Sequence, residues 1–206
     1  MLAFKLFGTF SLSLMSQPAM SQEGLIVKRS GEWVAADFTA EELERPGRVC
    51  IRFNNFWCLK RAGWQGEVGH DSRDHTKFSE SAYAARAFFK TMRTYRYLHG
   101  LKSTSEIFNR YAPQSDCIGS LPRNSRTGEC PNGENPSALY ARNVAAALGK
   151  GPDEDIELFV DRSTVRWEVA KQLAKAVVAF ELGREYSVTD ALLRDGLKRA
   201  NLEVAD

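Results

Sequence analysis

Hydrophobic residues along this chain fall into two regimes. From about residue 79 onward they recur every three or four positions, the period of an amphipathic helix, while before it they cluster or alternate loosely. Ala85, Phe88, Met92 and Tyr95 stripe the segment 79–99, which Gly100 stops. Ser103-x-x-Glu106 is a capping box for a helix that Pro113 ends. Asn135-Pro136 reads as an N-cap with proline at the first helical position, and that helix runs to Gly149. The longest helix covers 163–182, with Val169, Leu173, Val177 and Phe180 on one buried stripe. Ser187-x-x-Asp190 opens the last helix, which continues through Leu202.

The earlier part reads differently. Residues 22–36 alternate loosely, as an extended entry does, and Thr39-x-x-Glu42 caps a short helix closed by Pro46. Residues 49–59, VCIRFNNFWCL, are rich in β-branched and aromatic side chains and predict extended structure broken at Asn54-Asn55. Gly63-Trp64-Gln65-Gly66 is a turn, and 70–78 is a polar loop ending on an inward Phe78. The pattern predicts a mainly α (α+β) protein with a small β-element near residues 49–69, an N-terminal extension over 22–48 and one domain over 49–206. A chain of 206 residues is long enough for a single domain with a real core.

Residues 1–21 read as a secretory signal peptide. Lys5 supplies the positive start, residues 6–15 a short apolar run, and Ala19-Met20-Ser21 a small-x-small cleavage site. That run is too short to span a bilayer comfortably, so the expectation is a periplasmic or secreted protein with no stable membrane insertion after cleavage. Export makes disulfides the expected state of the four cysteines. The local pairs, Cys50 with Cys58 and Cys117 with Cys130, are the preferred connectivity among three. The spacings are not those of a zinc site, and no metal or organic cofactor is expected. A net charge of +2 with interspersed signs argues against a nucleic-acid partner.

The candidate chemistry centres on Glu181, in AKQLAKAVVAFELG at 170–183. It follows Phe180 directly and so lies about 100° round the helix from it, at the margin of the apolar stripe. A carboxyl half-desolvated there would hold its proton near neutral pH, as protonating a glycosidic oxygen requires. The alternative is a solvated glutamate near a helix end. Asn54, Asn55, Trp57 and Trp64 combine amides and flat apolar faces, which suit a sugar groove; packing explains the aromatics equally well. Glu67, in a loop with Asp71, Asp74 and His75, is a candidate second carboxylate. Arg110-Tyr111 and Glu134-Asn135 flank the clipped loop at 114–134 and would border a cleft. Serine-hydrolase, zinc-protease and phosphate-loop motifs are absent.

Taken in order, RFNNFWCLKRAGWQG, HTKFSESAYAARAFFKTMRTYRYLHGL, IFNRYAP, GENPSALYARNVAAALG and VVAFELGREYSVTDALLRDGL resemble the segments of phage virion and tail-associated structural proteins and their proteobacterial exported relatives. The resemblance adds Tyr140 to the candidate substrate contacts. The usual Asn-Pro-Gly-Asn turn is here Asn54-Asn55-Phe56-Trp57-Cys58, and the Ala-Pro to Glu-Asn interval is lengthened by the loop holding Cys117 and Cys130. A second similarity links AKAVVAFELG to the helix that carries the catalytic glutamate in glucosaminidases and lytic transglycosylases, with the order of segments reversed. It implies a circularly permuted, lysozyme-like helical domain that cleaves the glycan strand of peptidoglycan, with Glu181 as general acid. The rival expectation is a non-catalytic cell-wall-binding or virion-like assembly protein using the same groove.

Overall fold

The computed structural model describes residues 20–206. Two strands, β1 (Met20–Arg29) and β2 (Glu32–Phe38), form an antiparallel hairpin that turns at Ser30 and Gly31, both at positive φ. That is the backbone a two-residue hairpin loop needs to match strand twist. Leu25, Val27, Ala36 and Phe38 turn inward from this hairpin. A short helix, α1 (Ala40–Glu44), follows with both halves of its Thr39–Glu42 capping box made. Next come α2 (Val49–Arg52), a loop, and the antiparallel pair β3 (Glu67–His70) and β4 (Thr76–Phe78).

The long helices are α3 (Ser81–Leu98), α4 (Thr104–Tyr111), α5 (Ser137–Ala147), α6 (Trp167–Leu182) and α7 (Asp190–Arg199). Strand β5 (Thr164–Arg166) precedes α6, β6 (Tyr186–Val188) follows it, and β7 (Glu203–Ala205) lies parallel to β5. Strand β6 pairs with β1, giving a three-stranded sheet ordered β2-β1-β6. Residues 22–48 therefore share the core of the rest of the chain.

That core is built on α6 and α3. Helix α6 buries Ala170, Leu173, Ala174, Val177 and Val178, and α3 buries Ala84, Ala85, Phe88, Phe89 and Met92. Trp57 stacks on Phe88 at 5.3 Å, and its indole N–H donates to the Ala174 carbonyl at 3.1 Å, tying the 53–59 loop to both helices. Helix α7 crosses α3 so closely that a Cβ on Gly196 would lie 2.4 Å from the Ala85 Cβ. Both local disulfides are present, with Cα–Cα separations of 5.3 Å for Cys50–Cys58 and 5.2 Å for Cys117–Cys130.

The architecture corrects the expected fold class. Among the described residues there are seven α-helices and seven strands in three small sheets, so the protein is mixed α/β rather than mainly α. The lysozyme-like helical domain implied by the motif resemblance gives way to this arrangement. Residues 49–59 are a helical turn and a loop, closed by a disulfide, and the β-element sits at 67–78 instead. The helix expected from residue 163 starts at Trp167, after a strand. Pro136 rather than Asn135 occupies the N-cap of α5, and Thr189 rather than Ser187 caps α7. The strands that were missed are mostly three or four residues long. Such runs carry almost no period-two signal, and their pairing partners lie far away in sequence. The leader expected at 1–21 lies outside the described residues, apart from Met20 and Ser21 in β1.

Candidate active site

The last turn of α6 delivers Phe180 and Glu181 to one wall of an open trench of about 940 Å³. Gly183, at φ 116°, ends that helix and turns the chain toward β6. Phe180 stacks on Tyr140 of α5 at 3.7 Å, and Tyr140 stacks in turn on Phe108 of α4 at 4.2 Å. Tyr111 meets Tyr140 edge-on at 6.2 Å. This aromatic pile fixes the Tyr140 hydroxyl, which donates to Glu181 Oε1 at 2.8 Å. The Tyr111 hydroxyl donates to the Trp57 carbonyl, clamping α4 against the 53–59 loop.

Burial among these rings pushes the Glu181 pKa up to about 7, with the Tyr140 hydrogen bond and the Lys60 charge pulling the other way. The carboxyl is half-buried, with protein packed closely around it, and it lines the trench. Both tyrosines are pushed well above the usual phenol range, first by burial and then by the Glu181 carboxylate. They remain neutral donors at any ordinary pH.

A second polar cluster in the trench lining joins Asp71 and His75, in the turn of the β3–β4 hairpin, to Lys60 in the loop before it. Lys60 Nζ donates to the Arg73 carbonyl at 2.6 Å and to Ser120 Oγ, and lies 3.3 Å from His75 Nε2. His75 Nδ1 lies 2.9 Å from Asp71 Oδ2. An ammonium can only donate, so Nε2 accepts and Nδ1 carries the proton toward Asp71. Burial holds His75, only 6% exposed, below its ordinary pKa and also lowers that of Lys60. Burial works against the Asp71 carboxylate, but hydrogen bonds from the His75 side chain and backbone outweigh it and bring its pKa down.

The structure gathers Glu181, Tyr140, Tyr111, Trp64 and Asn135 around this one trench. The other candidates lie elsewhere. Asn55 is fully buried, and its side chain bonds the Leu59 carbonyl, the Leu59 N–H and the Thr76 carbonyl, each at 2.9 Å. Asn54 sits at φ 52° and donates to the Phe78 carbonyl at 3.3 Å. The two asparagines are thus turn anchors, and the fully buried Trp57 is core. The Glu67 carboxylate accepts from the Trp64 backbone N–H at 3.1 Å, closing the 64–67 turn away from the trench lining. Glu134 is paired with Arg123 at 3.0 Å.

The sequence pattern reads Asp71 and His75 only as part of a polar loop and does not single out Lys60. The available signal was Asp71-x-x-x-His75 bracketing a turn, legible only once β3 and β4 are recognised as a hairpin.

Among the described residues no three His, Cys, Asp or Glu side chains converge as metal ligands would. No helix there is long and apolar enough to cross a membrane, which together with the two disulfides is compatible with a periplasmic or extracellular protein. No protein-family model matches this chain, and no curated protein matches it. The arrangement itself offers a carboxyl group whose pKa is pushed up to about 7, hydrogen-bonded by a neutral phenol and facing an open trench with basic and aromatic walls.

Proposed function

We propose that the trench takes a glycan strand of peptidoglycan and that Glu181 is the general acid that breaks it. The observation that carries this reading is the Glu181 carboxyl, desolvated in the trench lining and bonded to Tyr140 at 2.8 Å. A glycosidic bond breaks when its bridging oxygen receives a proton as the C–O bond lengthens, and the acid must hold that proton near neutral pH. Glu181 meets both needs of protonation state and access. Once it has given up the proton, the carboxylate keeps the Tyr140 hydrogen bond and the field of Lys60, so the charge is not left bare.

With Glu67 engaged in its turn, the second step falls to a hydroxyl of the same sugar. That hydroxyl attacks the anomeric carbon and returns its proton to the Glu181 carboxylate, the lytic transglycosylase outcome.

The test is release of soluble muropeptides from purified sacculi. Glu181→Gln, which keeps shape and loses the proton, should lower release by about 100-fold or more. A folded variant that releases as much as wild type removes Glu181 from the mechanism. Tight binding to sacculi by folded wild type, without any release, would favour the rival reading of a non-catalytic wall-binding protein; that reading draws on Glu181 being, among the described residues, the one carboxyl hydrogen-bonded to the aromatic pile.

A further inference from the structure

The trench does not end at the aromatic pile. A second hollow of about 820 Å³ shares Trp64, Thr91, Tyr95, Arg110 and Pro113 with it, so the two form one continuous path between α3 and α4. Trp64 is fixed by its indole N–H donating to the Lys60 carbonyl at 2.8 Å. Tyr95 meets His99 edge-on at 6.3 Å, and the exposed Arg110 guanidinium lies 5.7 Å from the Tyr95 ring centre.

The charges along this path are unequal. Glu44 is paired with Arg52, Asp71 with His75, and the Glu106 carboxylate caps its own helix by accepting from the Lys102 and Ser103 backbone N–H groups; Asp116, without an ion pair among the described residues, lines the trench with Glu181, but neither lines the hollow beside Arg110. Among the described residues Arg110 makes no ion pair, and the Arg73 guanidinium donates to the Gly119 carbonyl alone. A guanidinium held over an aromatic face, beside a second ring, matches a ligand that offers a flat sugar face and a carboxylate together.

We propose that Trp64, Tyr95 and Arg110 form a remote subsite for a carboxylate-bearing sugar of the same strand, with Arg110 gripping the carboxylate. The proposal rests on the glycan reading of the trench but makes a separate demand: the protein should prefer acidic glycans over neutral ones of equal length.

The experiment titrates the non-cleaving Glu181→Gln protein, through its tryptophan fluorescence, with two probes. One is a peptide-stripped glycan oligomer from sacculi, whose lactyl groups carry carboxylates; the other is a neutral chito-oligosaccharide of equal length. The acidic probe should bind about tenfold more tightly, and adding Arg110→Gln should reduce that preference to about twofold or less, with partial recovery in Arg110→Lys. Raised salt should erode the same preference. The same titrations on wild type at low temperature guard against misfolding of the Glu181 variant.

Equal binding of the two probes overturns the subsite, as does a preference that Arg110→Gln leaves intact or binding of neither probe. Muropeptide release judges the Glu181 reading separately. Release that depends on Glu181 without a charge preference sinks the subsite alone, and a charge preference without release sinks the catalytic reading alone.

Discussion

The Glu181 pKa rises to about 7 because the rings around it cannot solvate a charge, and Tyr140 sets how far that effect goes. The phenol donates its proton to the carboxyl, which favours the ionised form and lowers the pKa. Tyr140→Phe removes that donor while leaving the stack on Phe108 and Phe180 in place. The Glu181 pKa should then rise by about one unit, since a hydrogen bond to a charged group is worth about 1.5–3 kcal/mol and one pH unit about 1.4. The basic limb of the muropeptide-release profile should move upward by that amount. A limb that stays put would mean that Glu181 does not titrate in the rate-determining step. At this scale the sequence was informative about Glu181: the stripe at Val169, Leu173, Val177 and Phe180 placed the next residue at the edge of a buried face. It was uninformative about Lys60 and His75, because their contact joins the loop before β3 to the β3–β4 turn through an isolated bridge, which leaves no period in the sequence.

The 53–59 loop shows how an element without regular structure is held. Asn55 serves as a surrogate strand partner: its amide group donates to Leu59 and Thr76, and its oxygen accepts from the Leu59 N–H. Asn55→Ala leaves these buried groups without partners and should cost about 2–4 kcal/mol, read as a lower urea midpoint. Sugar affinity measured under conditions where the variant stays folded should be unchanged; a selective loss of glycan binding with normal stability would return Asn55 to the ligand site. The sequence singled out this asparagine pair, but paired amides beside aromatics describe a sugar groove and a buried turn equally well. Only the depth of Asn55, set by Trp57 packing on α3 and α6, separates the two. Helices were legible where a stripe ended on a glycine, as in α3, or where a capping box and a proline bounded them, as in α4. They were misjudged at their starts where a short strand adjoins them, as at Thr164–Arg166 before α6.

Across the whole molecule, the same burial that arms the trench weighs on stability. Strand β1 pairs with β6, and Lys28 N–H donates to the Glu185 carbonyl at 2.8 Å, so the N-terminal hairpin braces the chain just beyond Glu181. No local pattern could announce that pairing, which joins residues about 160 positions apart. That brace holds the end of α6, where the Tyr140 hydroxyl donates to the Glu181 carboxyl. Its folded pKa of about 7 stands above the ordinary 4.5. Its contribution to stability is therefore fully present below pH 4.5 and is lost as pH rises to 7, by up to about 3 kcal/mol. His75 acts in the opposite sense. Its folded pKa is depressed by burial, so its contribution is present above pH 6.5 and is lost as pH falls through the folded value. Glu181→Gln removes the first effect and leaves the second. Relative to wild type, the variant should gain stability between pH 4.5 and pH 8, by up to that same amount, in urea denaturation followed at both pH values. Wild-type and variant curves that shift in parallel would show that folded Glu181 titrates no higher than an unfolded glutamate, and a carboxyl of that kind has lost its proton well before neutral pH and has none to give to a glycosidic oxygen.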